Sequence, residues 1–261
     1  MELFCGGREL PMVSPSPWIC GPVPDSTACV RLFCFPYGGA GANAFVSWRS
    51  LLRPKGVDVC CVQLPGRETR FREMPIKSMD ELVFQTCQGI EPYLSLPFSF
   101  FGHSMGALVC FEVARELARR GCTLPQWLLI SGALPPHRRP PETLHTLPTA
   151  EFVEAVARCY NGLPAEVLAN DELLEVVIPT LRADFELIEL YRPEIKRALP
   201  VNIAVFGGQS DESVPSDELQ YWAEVTTQLE SFHIMLFDGD HFFFKHQRSR
   251  VLTEISRSLG S

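Results

Sequence analysis

The sequence predicts an α/β protein, a mostly parallel sheet with helices on both faces and one inserted helical segment. Three observations carry this reading. Short apolar runs recur along the chain and are near-continuous rather than alternating, as strands buried on both faces are. Helical patterns lie between several of them, and strand–helix alternation builds parallel sheets. The rhythm then breaks over about 134–198, where no good strand is found before the apolar runs resume.

The chain opens with an arm over about 1–28, rich in Pro and Gly, that reads as irregular; Trp18 and Ile19 are the side chains able to pin it to the body. The strands follow as Val30–Phe35, Val57–Leu64, Phe98–Phe101, Trp127–Ile130, Val201–Phe206 and Phe232–Phe237. Between them, helical spacing runs over Ala44–Leu52, Met79–Tyr93, Ala107–Arg120 and Ser216–Thr227. The segment from Leu134 to Ala198 begins with a Pro-rich stretch and continues with helical patterns around Thr149–Tyr160 and Asp171–Tyr191. A connection of this length is an inserted subdomain rather than a loop, and its place suggests a lid. The whole chain, 1–261, reads as a single domain carrying that insertion.

Composition narrows the classes. The 261 residues are 46% hydrophobic, enough for a substantial core, and the net charge of −8 makes a poor general binder of nucleic acid or anionic membrane. The ten cysteines sit mostly inside apolar runs, as Cys34, Cys60, Cys61 and Cys110 do, without paired metal-site spacing, so they read as free buried thiols. The start lacks the basic-then-apolar pattern of a signal peptide, and no apolar run is long enough to span a membrane; a cytoplasmic location is expected.

The most informative stretch is Gly102-His103-Ser104-Met105-Gly106, a Gly-x-Ser-x-Gly motif between an apolar run and a helical pattern. A sharp strand-to-helix turn lifts the serine hydroxyl clear of the sheet, and glycines flank it because side chains there would clash. The helix that follows presents free N–H groups where negative charge would develop. This is the nucleophile elbow of an α/β-hydrolase. Such a serine needs a base, and the base needs an acid to orient it.

In this fold the acid and then the base follow late strands. Of six histidines, His241 is the candidate base, because it follows the last strand and the turn Asp238-Gly239-Asp240. His103 adjoins the serine but should point away from it; His233 lies in a strand and His246 in the last helical region. Asp211 is the candidate acid, after Val201–Phe206 and Gly207-Gly208-Gln209-Ser210, with Glu212 the neighbour that could be mistaken for it. An oxyanion requires two N–H donors. Met105 supplies one, and the loop Phe35-Pro36-Tyr37-Gly38-Gly39-Ala40-Gly41-Ala42 the other, with Tyr37 as candidate and Gly38 as alternate. A phosphate loop is a weaker reading of this stretch, since no Gly-Lys-Ser/Thr follows.

Taken together, several segments resemble one family. These are Leu32–Ala40, Leu64-Pro65-Gly66-Arg67-Glu68-Thr69-Arg70, the serine motif, Leu181-Arg182-Ala183-Asp184-Phe185 and Phe237-Asp238-Gly239-Asp240-His241-Phe242. The chain is similar to the type II thioesterases of nonribosomal peptide and polyketide synthesis, relatives of the medium-chain acyl thioesterases of animal fatty acid synthesis. The similarity covers roughly 28–258. It departs at Gly38-Gly39-Ala40, where the family has Ala-Gly-Gly, and at Asp240, where it has Gly. The second departure places a carboxylate beside the base, able to raise its pKa if suitably oriented.

The resemblance implies an acyl thioester substrate carried on the phosphopantetheine arm of an acyl or peptidyl carrier protein. It implies a Ser104–His241–Asp211 acyl-enzyme mechanism and the clearing of stalled or mis-acylated carriers, with no metal or cofactor of the enzyme's own. Carriers are typically acidic, so docking needs a local basic patch or an apolar one. Arg67, Arg70 and Arg72 form one candidate patch and Arg138 with Arg139 another, unless these are simply solvated arginines. The alternatives are a chain-terminating medium-chain fatty acyl thioesterase, an esterase or lipase on oxygen esters, and a non-catalytic binding module.

Overall fold

Seven strands form one sheet in the computed structural model, which describes residues 16–21, 25, 27–138, 143–160 and 165–260. The strands are β1 (Ile19–Cys20), β2 (Val30–Phe35), β3 (Val57–Val62), β4 (Phe98–His103), β5 (Trp127–Ser131), β6 (Asn202–Gly208) and β7 (His233–Phe237). Their order across the sheet is β1-β3-β2-β4-β5-β6-β7, and every pairing except β1 with β3 is parallel. The arm expected to be irregular thus contributes a strand. Its two residues lie against Val62 and Cys61, and Trp18 beside them packs under the Arg70 guanidinium. Residues 1–15 of the arm lie outside the described residues.

Helices cover both faces. They are α1 (Asn43–Val46), α2 (Trp48–Leu52), α3 (Met79–Ile90), α4 (Met105–Arg119), α5 (Thr149–Tyr160), α6 (Ala165–Leu168), α7 (Asp171–Leu190), α8 (Phe243–His246) and α9 (Arg248–Leu259). The helical pattern over Ala44–Leu52 is split into α1 and α2, and the one over Ser216–Thr227 is a run of 3-10 turns, Ser216–Val225. Ser78 starts α3 by accepting from Glu81 N–H, and a left-handed Gly121 lies just past the end of α4.

Alternation along β2 shows how the sheet divides the core. Leu32 and Cys34 face Phe45, Trp48, Leu252 and Ile255 on one side; Phe33 and Phe35 face Leu82, Leu108 and Val109 on the other. Phe33, Phe35, Phe98 and Phe100 meet edge-on or tilted at 5.2–6.0 Å between centroids. Burying each such ring stabilises the fold by roughly 1.5–3 kcal/mol. Among the described residues the cysteines are free thiols, with Cys34, Cys60, Cys61, Cys87 and Cys110 buried.

Between β5 and β6 the chain leaves the sheet and forms α5, α6 and α7. Phe152, Val156, Ile178, Leu181 and Phe185 give this insertion a small core of its own. Asn170 caps α7 by accepting from Leu173 N–H. The insertion is tied to the body where Thr180 Oγ1 donates to Gly66 C=O at 2.8 Å.

Candidate active site

The predicted site residues all lie at the carboxyl ends of parallel strands, where open α/β sheets bind ligands. Ser104 is the single residue between β4 and α4, with φ 53° and ψ −117°. That backbone is costly for a non-glycine residue and holds the side chain at the first turn of α4. The flanking glycines are there for space. A Cβ on Gly102 would lie 2.2 Å from Gly106 O, and one on Gly106 would lie 2.2 Å from Phe35 O and 2.6 Å from Pro36 O. The close approach at Gly106 brings the end of β2, and so Tyr37, to the elbow.

Asp211 and His241 come together because the loops after β6 and β7 are zipped. Gln209 N–H donates to Phe237 C=O at 2.9 Å and Ser210 N–H to Gly239 C=O at 3.0 Å. Gly208 leaves room for the crossing: its Cβ would sit 2.4 Å from Asp240 O. His241 Nδ1–H then donates to Asp211 Oδ2 at 2.7 Å, between two buried side chains. The other carboxylate oxygen accepts from Ser213 N–H at 3.0 Å and Ser213 Oγ–H at 2.6 Å. Burial pushes the Asp211 pKa up, but the hydrogen bonds from His241 and Ser213 outweigh it and hold the carboxyl below its usual 3.8. With Nδ1 committed to Asp211, Nε2 is the ring nitrogen able to take a proton. Sequence reasoning missed Ser213; its position two residues after Asp211, the spacing of an Asx turn, is the signal that could have found it.

Glu212 lines an outer groove with Arg138 and Glu218, away from the histidine. Asp240 turns its Oδ1 to Phe242 N–H at 2.9 Å, where it caps the turn into α8. His103 is fully buried, with Nδ1 3.0 Å from Ser131 Oγ and its ring 4.9 Å from that of His241. Burial first, then the charges of His241 and Lys245, push its pKa well below the ordinary value, so the ring is neutral.

Ser104, Met105, His241 and the loop Tyr37–Ala40 line one cavity of about 280 Å³, whose remaining wall is mostly apolar. Val156, Tyr160, Val167, Val177, Leu181, Phe185 and Ile188, all from the insertion, form its roof. The oxyanion candidates Tyr37 and Met105 therefore line the same cavity as the serine.

Arg67 and Arg70 are neither a docking patch nor solvated arginines. Both are buried, at 6% and 8% exposure. Arg67 makes a bidentate ion pair with Asp184 of α7 at 2.6 and 2.8 Å, and Asp184 also accepts from Gly39 N–H at 2.7 Å. Arg70 pairs with Glu73 and donates to Gln63 C=O. Of that trio only Arg72 is exposed. Arg138 pairs with Glu218 and stacks on Tyr221; Arg139 lies outside the described residues.

The glycine-rich loop does not present an empty anion cradle. Glu68 fills that position: its carboxylate accepts from Asn43 N–H at 3.2–3.3 Å, and a Cβ on Gly41 would lie 2.3 Å from its Cδ. Among the described residues, no group of three or more His, Cys, Asp or Glu is placed to hold a metal ion, and no helix is long and apolar enough to cross a membrane.

An elbow serine, a carboxylate-bonded histidine and an apolar cavity on a parallel sheet define the α/β-hydrolase class. The profile of the thioesterase domain matches residues 30–259. The chain belongs to the thioesterase family, and it is a serine thioesterase, a hydrolase. Among curated relatives, gramicidin S biosynthesis protein GrsT of Aneurinibacillus migulanus is 35% identical over 243 residues, 93% of each chain. Linear gramicidin dehydrogenase LgrE of Brevibacillus parabrevis is 37% identical over 253 residues, 95% of each chain. Among solved structures, the type II thioesterase BorB from the borrelidin biosynthetic cluster aligns with a TM-score of 0.84 at 31% identity, covering 95% of this chain and 100% of that one.

Proposed function

We propose that this thioesterase removes acyl groups from the phosphopantetheine arm of acyl or peptidyl carrier proteins and so clears stalled or mis-acylated carriers in polyketide or nonribosomal peptide synthesis. One observation carries the reading. Ser104, on its strained elbow, and His241, bonded to Asp211, open onto the same apolar cavity, in a chain of the thioesterase family. GrsT and BorB, named for gramicidin S and borrelidin biosynthesis, support the pathway class.

In the proposed chemistry, Ser104 Oγ attacks the thioester carbonyl as His241 Nε2 takes its proton. The N–H groups of Met105 and Tyr37 stabilise the oxyanion, and Asp211 stabilises the imidazolium. The C–S bond breaks, and His241 returns the proton to the leaving thiol. Water then attacks the acyl-enzyme with the same histidine as base, releasing a carboxylic acid and the free serine. The insertion over 134–198 acts as a lid, because its helices supply the cavity roof.

A hydride-transfer reading has two observations in its favour: Gly39, Gly41 and Ala44 have the spacing of a dinucleotide fingerprint, and LgrE carries a dehydrogenase name. Glu68 argues against it, since a carboxylate already takes the N–H where a pyrophosphate would have to bind.

The test is hydrolysis of acyl groups from loaded carrier protein, followed by intact mass. Ser104→Ala should lose on the order of 10⁴-fold in turnover, and His241→Ala should match it within about tenfold. Turnover retained in Ser104→Ala would overturn the mechanism. Equal kcat/KM on acyl-carrier protein and acyl-coenzyme A would overturn the carrier assignment. A single sharp optimum at medium chain length would favour the fatty acyl alternative.

A further inference from the structure

The cavity wall is apolar over most of its extent, but among the described residues it holds two charged side chains. Asp184 is one, and its carboxylate is already engaged by both guanidinium nitrogens of Arg67 and by Gly39 N–H. Lys245 is the other. It lies four residues after His241, on α8, and is exposed at the cavity rim.

Its ammonium sits 4.0 Å from the centroid of Phe242 and 5.0 Å from that of Tyr37. The two rings pack on each other at 4.9 Å, and both pack on His103, the neighbour of Ser104. Ring faces attract the cation but engage at most part of its donor capacity; an ammonium carries three N–H donors. Lys245 forms no ion pair among the described residues. Asp240, in the adjoining loop, is the carboxylate whose field reaches it, and its Oδ1 accepts from Phe242 N–H at 2.9 Å. Partial loss of hydration lowers the Lys245 pKa, and the charge of Asp240 opposes that change.

A cation lying against two aromatic faces, on the wall of a substrate cavity and without a carboxylate ion-pair partner among the described residues, is placed to receive an anion. We propose that Lys245 is an anion subsite of this cavity, selecting thioesters whose acyl group ends in a carboxylate over neutral acyl groups of the same length. The proposal rests on the thioesterase reading. Without Lys245, a carboxylate entering this chamber would lose water for an apolar wall and gain no partner. A neutral acyl group needs no such partner. The phosphate of the pantetheine arm offers the same chemistry, so the two sources must be separated.

The experiment compares matched pairs: butyryl with succinyl, and pentanoyl with glutaryl. Each is presented both as the N-acetylcysteamine thioester, which has no phosphate, and as the phosphopantetheine thioester. Wild type, Lys245→Met and Lys245→Arg are measured for kcat/KM. The proposal expects the anionic-to-neutral ratio on N-acetylcysteamine thioesters to fall roughly threefold to tenfold in Lys245→Met and to be kept in Lys245→Arg. The same ratio of binding constants, read calorimetrically in a Ser104→Ala background, checks it without turnover. If Lys245→Met instead weakens every phosphopantetheine thioester alike and leaves the N-acetylcysteamine ratio unchanged, the subsite belongs to the arm phosphate and the acyl selectivity is overturned. A ratio unmoved in both series removes the subsite altogether. Failure of wild type to hydrolyse any of these thioesters would instead remove the thioesterase reading on which the proposal stands.

Discussion

Arg67 and Asp184, 117 residues apart, form a buried bidentate ion pair whose carboxylate also takes Gly39 N–H from the loop carrying Tyr37. One carboxylate thus links the inserted helix α7, the Pro-Gly-Arg segment and the loop beside the elbow.

Breaking this pair should separate stability from activity. Asp184→Asn leaves the Arg67 guanidinium buried without a counter-charge, at a cost of about 3–5 kcal/mol. Arg67→Met with Asp184→Leu removes both charges and should recover most of that loss. It should not recover kcat/KM, because Gly39 N–H has then lost its acceptor and the Tyr37 loop its anchor. Urea unfolding and thioester hydrolysis on the same preparations read the two effects. Full activity in the double variant would mean that the pair only stabilises the fold.

Gly106→Ala should be far more harmful than an ordinary Gly-to-Ala change in a helix, which usually stabilises it. The new Cβ meets backbone oxygens of Phe35 and Pro36 at 2.2 and 2.6 Å, which have no rotamer to escape into. We expect a loss of at least about 1–3 kcal/mol and a fall in kcat/KM, with the end of β2 displaced. A crystal structure of the variant with Tyr37 unmoved would contradict this account.

The Asp211 carboxyl, held below its ordinary 3.8, sets a pH window for stability. A depressed folded-state pKa contributes stability that is fully present above the unfolded value and is lost as pH falls through the folded one. The unfolding free-energy difference between wild type and Asp211→Asn should therefore stay constant above about pH 5 and shrink below about pH 4. Denaturation series from pH 3 to pH 8 measure it. A difference that shrinks between pH 5 and pH 7 would assign it to another group.

Cysteine reactivity should divide by burial. Burial raises the Cys61 thiol to about 11 and Cys87 to about 12, Cys60 and Cys110 further still, and it pushes Cys34 well above the ordinary value. Cys29, Cys122 and Cys159 are exposed. Brief alkylation of native protein at pH 8 should label those three, and peptide mapping should find the five buried thiols modified only after denaturation.

How much of this was legible in the sequence follows from how local each signal is. The elbow was readable because strand, serine and helix are contiguous, and both glycines clash with neighbours in the same few residues or with the next strand. The sheet was readable because strands buried on both faces write near-continuous apolar runs; Val30–Phe35, interrupted only by Arg31, is such a case. Strand β1 was not, since two residues carry no period and depend on the edge of β3. Arg67 looked like a surface charge because its partner is 117 residues away, on a helix whose docking no local pattern records. Lys245 was hidden in the same way, between aromatic rings contributed by Tyr37 and Phe242.

Val156, Leu181 and Phe185 belong both to the small core of the insertion and to the ceiling of the cavity. Any inherited change that enlarges the chamber at these positions also removes packing from the only hydrophobic cluster that the insertion's helices share among themselves in the described residues. Val167 and Val177 face the chamber without belonging to that cluster. Descendants of this chain can therefore drift toward bulkier or smaller substrates through those two valines with little penalty, whereas the same drift through the other three would select against itself.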